Sequence, residues 1–116
     1  MHELSIASSI IEIAEQEAAR RRAHVSAVHL KLGPLSGVMK DSLISAYEIA
    51  SVGTSMESSH LVVEEVSITA YCPNCREIKK IESAQWLCCP VCGTPAGKIV
   101  QGTELEITAM EIRHES

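Results

Sequence analysis

Two Cys-x-x-Cys pairs, Cys72-Pro-Asn-Cys75 and Cys89-Pro-Val-Cys92, stand thirteen residues apart in a chain of 116. Two residues between cysteines let one tight turn present both sulfurs to a single ion, and two such turns complete a tetrahedron. Proline after each first cysteine suits the turn, and Gly93 can take a positive φ just past the second pair. Arg76, Lys79 and Lys80 lie close enough in sequence to offset the charge of roughly −2 carried by a four-thiolate zinc centre. Tetrahedral sulfur also suits iron, but nothing else in the chain points to electron transfer. The expected metal is Zn(II), bound by Cys72, Cys75, Cys89 and Cys92. With four protein ligands and no open position, its role is structural. Cys88, adjoining Cys89 and near Trp86, would ligate only by disturbing the second turn, and it is expected outside the ligand set.

Metal ligation rather than disulfide bonding presumes a reducing compartment. No apolar run approaches the ~18 residues of a membrane span. Glu3, Glu12, Glu15 and Glu17 interrupt the first segment, which therefore lacks the pattern of a secretory signal. A cytoplasmic protein is expected. The net charge of −5 argues against nucleic acid as a partner, because phosphate neutralisation dominates such affinity. The one dense basic cluster, Arg20-Arg21-Arg22, falls at a helix end, where cations complement the helix dipole.

Outside the cysteine region the apolar pattern is regular. Leu4, Ala7, Ile11, Ala14 and Ala18, widened by Ile6, Ile10 and Ile13, form the core stripe of a helix ending near Arg22. Val28, Leu30 and Leu32 alternate with His29 and Lys31 in a half-buried strand that Gly33-Pro34 ends. Met39, Leu43, Ala46, Tyr47 and Ala50 share one face of a second helix, over about 39–52, with Gly53 as its stop. HLVVEEVSITAY reads as a second strand. A third, GTELEITAMEIRHES, has Leu105, Ile107 and Ala109 on one side. The expected fold is α+β: two helices packed on a small three-stranded sheet, with an inserted zinc-ribbon domain. Residues 1–70 and 98–116 make the first domain and 71–97 the ribbon. Aromatic residues are only 3% of the chain, without a single Phe, so the core is thin and zinc supplies folding energy that burial does not.

The amino-terminal Met1-His2-Glu3 holds a second possibility. A free α-amine, the deprotonated amide of His2 and its imidazole Nδ1 can chelate one ion in adjoining rings, a nitrogen-rich planar set that suits Ni(II) or Cu(II). Glu3 can add a carboxylate or a further amide nitrogen. His24, His29, His60 and His114 are expected to be solvated surface residues. No carboxylate pair, nucleophile–base set or phosphate-cradling loop marks an enzyme.

MHELSIA at the amino terminus, LGPLSGV after the first strand and CPNC…CPVCG in a late insertion together resemble the HypA/HybF family of hydrogenase maturation proteins. The resemblance covers nearly the whole chain. It implies a nickel metallochaperone in which Met1, His2 and Glu3 belong to the Ni(II) site and the four paired cysteines hold zinc. Some members add an acidic residue near the start of the second helix, and Asp41 in VMKDSL is the carboxylate available here. The implied partners are the GTPase HypB and the large subunit of [NiFe]-hydrogenase, with urease maturation served in some organisms. The oligomeric state is left open, a homodimer among the options. The competing reading is a zinc-ribbon adaptor that contacts protein or nucleic acid and carries no second metal.

Overall fold

In the computed structural model residues 3–114 are described. The chain runs through helix α1 (Glu3–Arg21), strand β1 (Ala23–Leu32), a short 3-10 turn (Pro34–Ser36), helix α2 (Lys40–Ser51) and strand β2 (His60–Glu65). It continues through β3 (Ile68–Cys72), β4 (Glu77–Ile81), β5 (Ile99–Gln101) and β6 (Leu105–His114). The strands form two separate three-stranded sheets, ordered β2-β1-β6 and β4-β3-β5.

In the first sheet β1 is central. It pairs in parallel with β2, which α2 makes possible as the crossover, and antiparallel with β6. Ala7, Ile10, Ile11 and Ala14 of α1 and Leu43, Ala46 and Tyr47 of α2 bury against Val25, Val28, Leu30 and Leu32 of β1 and Leu61 of β2. The helical and strand periods read from the sequence converge on this core. Within it the Tyr47 hydroxyl lies 2.6 Å from Ser59 Oγ, so the one polar group Tyr47 brings inside is satisfied.

Three details differ from expectation. The stretch 60–71 is not one strand: β2 ends at Glu65 and β3 begins at Ile68, in the other sheet. Val66 N–H donates to Leu32 O at 3.0 Å, and Ser67 O accepts from the Gln101 side-chain amide at 2.8 Å. Alternation continues through this crossing, so the break was invisible to periodicity. In β6 the register skips Thr108, which turns Ala109 outward and sets Met110 against the core beside Leu105 and Ile107. Finally, Leu4, Ile13 and Met39 are largely exposed although their spacing matched the core stripes.

The second sheet holds a much smaller cluster: Ile68, Ala70 and Ile81, with Leu35 and Ile99 packed against them. Leu35 comes from the 3-10 turn of the other layer. Gly33 N–H donates to Glu104 O at 2.8 Å and Leu35 N–H to Gly102 O at 2.7 Å, tying that turn to the crossing between β5 and β6. A Cβ on Gly33 would sit 2.1 Å from Gly102 O, so only glycine permits this approach. The strands of the second sheet span Ile68–Gln101 and so take in residues on both sides of the 71–97 stretch.

Candidate metal centre

Cys72 closes β3, Cys75 completes the turn into β4, and Cys89 and Cys92 come from the loop between β4 and β5. The two turns are built alike. Arg76 N–H donates to Cys72 O at 2.7 Å, and Gly93 N–H to Cys89 O at 2.9 Å. The residue after each second cysteine has a positive φ: 59° at Arg76 and 75° at Gly93. Gly93 was legible in this role. Arg76 was not, since a non-glycine residue pays a steric penalty there, and the closing turn holds it in place.

The four sulfurs all lie within 4.8 Å of one another and are the one group of three or more potential metal ligands among the described residues. Cys72 and Cys92 sulfurs are 3.5 Å apart, Cys75 and Cys89 sulfurs 3.9 Å. A tetrahedron with Zn–S bonds of about 2.3 Å places its sulfurs about 3.8 Å apart. The cluster therefore has the size as well as the donor type for such an ion. Cys88 stands apart from it, in an isolated bridge with Pro95.

The surroundings favour thiolates unevenly. The Thr94 hydroxyl, 3.2 Å from Cys92 Sγ, leads in lowering the Cys92 thiol to about 5, assisted by the Thr94 backbone and the Asn74 side chain. Cys89 is also lowered, first by the backbone N–H of Cys92 and then by that of Val91. Cys75 goes the other way, to about 12, chiefly because its thiol shares a hydrogen bond with Cys92, with burial second. Of the three shifted thiols, Cys75 is the one that holds its proton most firmly. Lys79 is raised above the ordinary lysine value, chiefly by its bond to the Glu77 carboxylate. Thr94 acts within its own turn, two residues from Cys92, whereas Asn74 carried no sequence signal because its contact depends on how the two turns face each other.

The candidate nickel residues are divided by what is described. Met1 and His2 lie outside the described residues. Glu3 opens α1 and Asp41 sits in the first turn of α2. Both line one depression of about 520 Å³, together with Leu4, Ser42, Ser45 and Ile49. Tertiary packing thus places two acidic residues 38 positions apart in sequence on the lining of one depression. Among the other histidines, His29 Nε2 lies 2.7 Å from Glu111 Oε2 across the β1–β6 ladder, a pairing that no local spacing announced.

Comparison with known proteins places these features in context. The family model described as hydrogenase/urease nickel incorporation, metallochaperone, hypA matches residues 1–112. The chain is 45% identical over 112 residues to the hydrogenase maturation factor HypA of Roseiflexus sp. (strain RS-1), covering 96% of this chain and 91% of that protein. It is 42% identical over 112 residues to the protein of the same name from Chloroflexus aggregans, covering 96% and 98%. Its fold is similar to the solution structure of the Ni metallochaperone HypA from Helicobacter pylori, with a TM-score of 0.65 and 26% identity over 99% of this chain and 100% of that one.

Proposed function

Because the chain belongs to the HypA family of hydrogenase/urease nickel-incorporation metallochaperones, we propose that it binds Ni(II) at Met1-His2-Glu3 and delivers it to the large subunit of [NiFe]-hydrogenase. The observation that carries the local part of this reading is the depression shared by Glu3 and Asp41. The residue that follows His2 in the chain lies beside the first turn of α2, so Asp41 can add a carboxylate to the nitrogen ligands of the terminus. Amine, amide and imidazole nitrogens suit Ni(II). A site of a few such ligands binds cargo that a recipient can remove, whereas four thiolates hold an ion tightly.

The paired cysteines then hold structural Zn(II). The sulfur spacing supports this, as does the slight core of the second sheet. In this reading the nickel-binding unit is the helix-covered layer, and the zinc ribbon is the second sheet, bounded by the crossings at 66–67 and 102–104. The protein works in the cytoplasm with the GTPase HypB, contributes no catalytic step, and in a urease-producing cell can serve that enzyme as well. Among the described residues no helix is long and apolar enough to cross a membrane.

The test is a calorimetric Ni(II) titration of the zinc-loaded protein with its native terminus, beside the same protein carrying a short amino-terminal extension and the variant His2→Ala. Binding near one nickel per chain, lost in both controls while zinc content stays unchanged, is expected. Binding indifferent to both controls would move the site elsewhere. An absence of nickel binding would favour a zinc-ribbon adaptor.

A further inference from the structure

We propose that the first layer carries a binding site for a phosphate group, free or as a monoester, where β1 begins and β6 ends. Neither the proposed nickel site nor the four cysteines draw on this place. Glu3 starts α1, whereas the phosphate site adjoins the other end of that helix, about 27 Å away along its axis.

His24, at the start of β1, pairs in register with Arg113 of β6. His60 opens β2 beside Ala27, and the connection from α2 brings Ser55 and Ser58 to the same end. Together with Ser26 these residues line a depression of about 450 Å³. A second depression, of about 320 Å³, adjoins it through His24, Val25 and Ser55 and adds Arg22. The connection is held from its inner side. Met56 is buried, Ser59 Oγ contacts the Tyr47 hydroxyl and donates to Met56 O, and Thr54 Oγ1 donates to Ser51 O. Ser55 and Ser58 are left on the surface.

The donor set selects an anion. Two arginines, two imidazoles and three hydroxyls line the paired depressions against one carboxylate, Glu15, in a chain whose net charge is −5. The Ser26 and Ser55 hydroxyls already donate, to Glu111 O and to Glu15. The side chains of Arg22, Arg113, His60 and Ser58 have no bond to another described residue. An Arg fork, an imidazole N–H and a hydroxyl are all donors to phosphate oxygens.

The neighbouring carboxylates have partners of their own. Glu15 accepts from Ser55 Oγ at 2.9 Å, Glu57 from Gly53 N–H at 2.9 Å, and Glu111 Oε2 lies 2.7 Å from His29 Nε2. A cation fits the same place poorly. Two imidazoles fall short of a ligand set, and arginines beside them repel a further positive charge. Ala18, Ala19 and Met56 in the second depression give an aliphatic wall for the organic part of an ester.

The experiment records amide spectra of the zinc-loaded, isotope-labelled protein titrated with sodium phosphate, beside sodium chloride at matched ionic strength. Phosphate should shift the Ser55, Ser58 and His60 amides saturably, with no counterpart in chloride. Arg113→Gln, at an exposed position, should weaken binding at least about tenfold, and Ser58→Ala should weaken it less. Arg20→Gln, which removes a cation bonded to Glu17, should leave binding unchanged. Glycerol 3-phosphate is the second probe. Added shifts at Ala18 and Ala19 mark an esterified ligand, and equal affinity without them marks the free anion. The proposal is overturned by an absence of saturable shifts, by shifts that chloride reproduces, or by equal losses in Arg113→Gln and Arg20→Gln. Phosphate binding that appears only in Glu115→Gln would assign the site to the chain's own acidic tail instead.

Discussion

The two sheets of this protein are equal in strand number and opposite in how much apolar surface they bury. The first is covered by two helices and buries a continuous core that includes Tyr47, Leu43 and Val28. The second buries two isoleucines and an alanine and borrows Leu35 from its neighbour, while Trp86 and Val91 stand 71% exposed. Burial of apolar side chains can account for the first layer. It contributes far less to the second, where four sulfurs converge on one point instead. Charge divides the same way. Residues 68–101 carry four basic and two acidic side chains, and the remainder of the chain carries six and thirteen. The comparison teaches that the basic segment, with little apolar material of its own, gathers four potential metal ligands where the acidic layer gathers a core.

The largest effect should come from removing a thiolate or the metal. Cys75→Ser, or a strong chelator, is expected to abolish slow amide exchange across Ile68–Gln101 while the helical circular dichroism of α1 and α2 persists. Loss of the helical signal as well would erase the distinction between the layers. Next in size is Gly33→Ala, which must break the contact of the 3-10 turn with Gly102. Overpacking against backbone should cost about 3 kcal/mol or more. Because that turn joins both cores, thermal unfolding followed by near-terminal and ribbon amides should shift together. A shift confined to one layer would show that the junction is loose.

Acidity provides a third test, directed at the ribbon alone. Cys75, held at about 12, keeps its proton at neutral pH in the metal-free protein and must lose it to ligate. Cys92, lowered to about 5, is already a thiolate there. Zinc affinity should therefore rise by at least about tenfold per pH unit between about pH 6 and 9, and fall more steeply below pH 5 as Cys92 takes up a proton. Calorimetry in buffers of different ionisation enthalpy reads the released proton directly, and pH-independent affinity would contradict the assignment. The smallest effect is expected from Tyr47→Phe. It removes one buried hydrogen bond to Ser59 and should cost about 1 kcal/mol in the first layer, leaving zinc affinity unchanged.

Local pattern carried much of this architecture. The stripe of α1, the alternation of β1 and the face of α2 are visible because each periodicity reports one buried side. The cysteine turns are visible because ligand spacing is itself local. Legibility failed where alternation was blind to a change of partner, as at Val66-Ser67, and where one skipped residue at Thr108 exchanged Ala109 for Met110. Ile13 obeys the helical period yet stays exposed, because periodicity says which side of a helix is apolar and not whether anything covers it.

Residue order alone thus determined the elements, their apolar sides and the four sulfurs that share a site, since each depends on neighbours a few positions apart. Only tertiary structure decided the division of strands between two sheets, the junction at Gly33, the depression that Glu3 and Asp41 share and the place of β6 beside β1 at the end of its sheet. Those depend on contacts between distant segments, and such contacts are set by how whole elements pack rather than by any spacing along the chain.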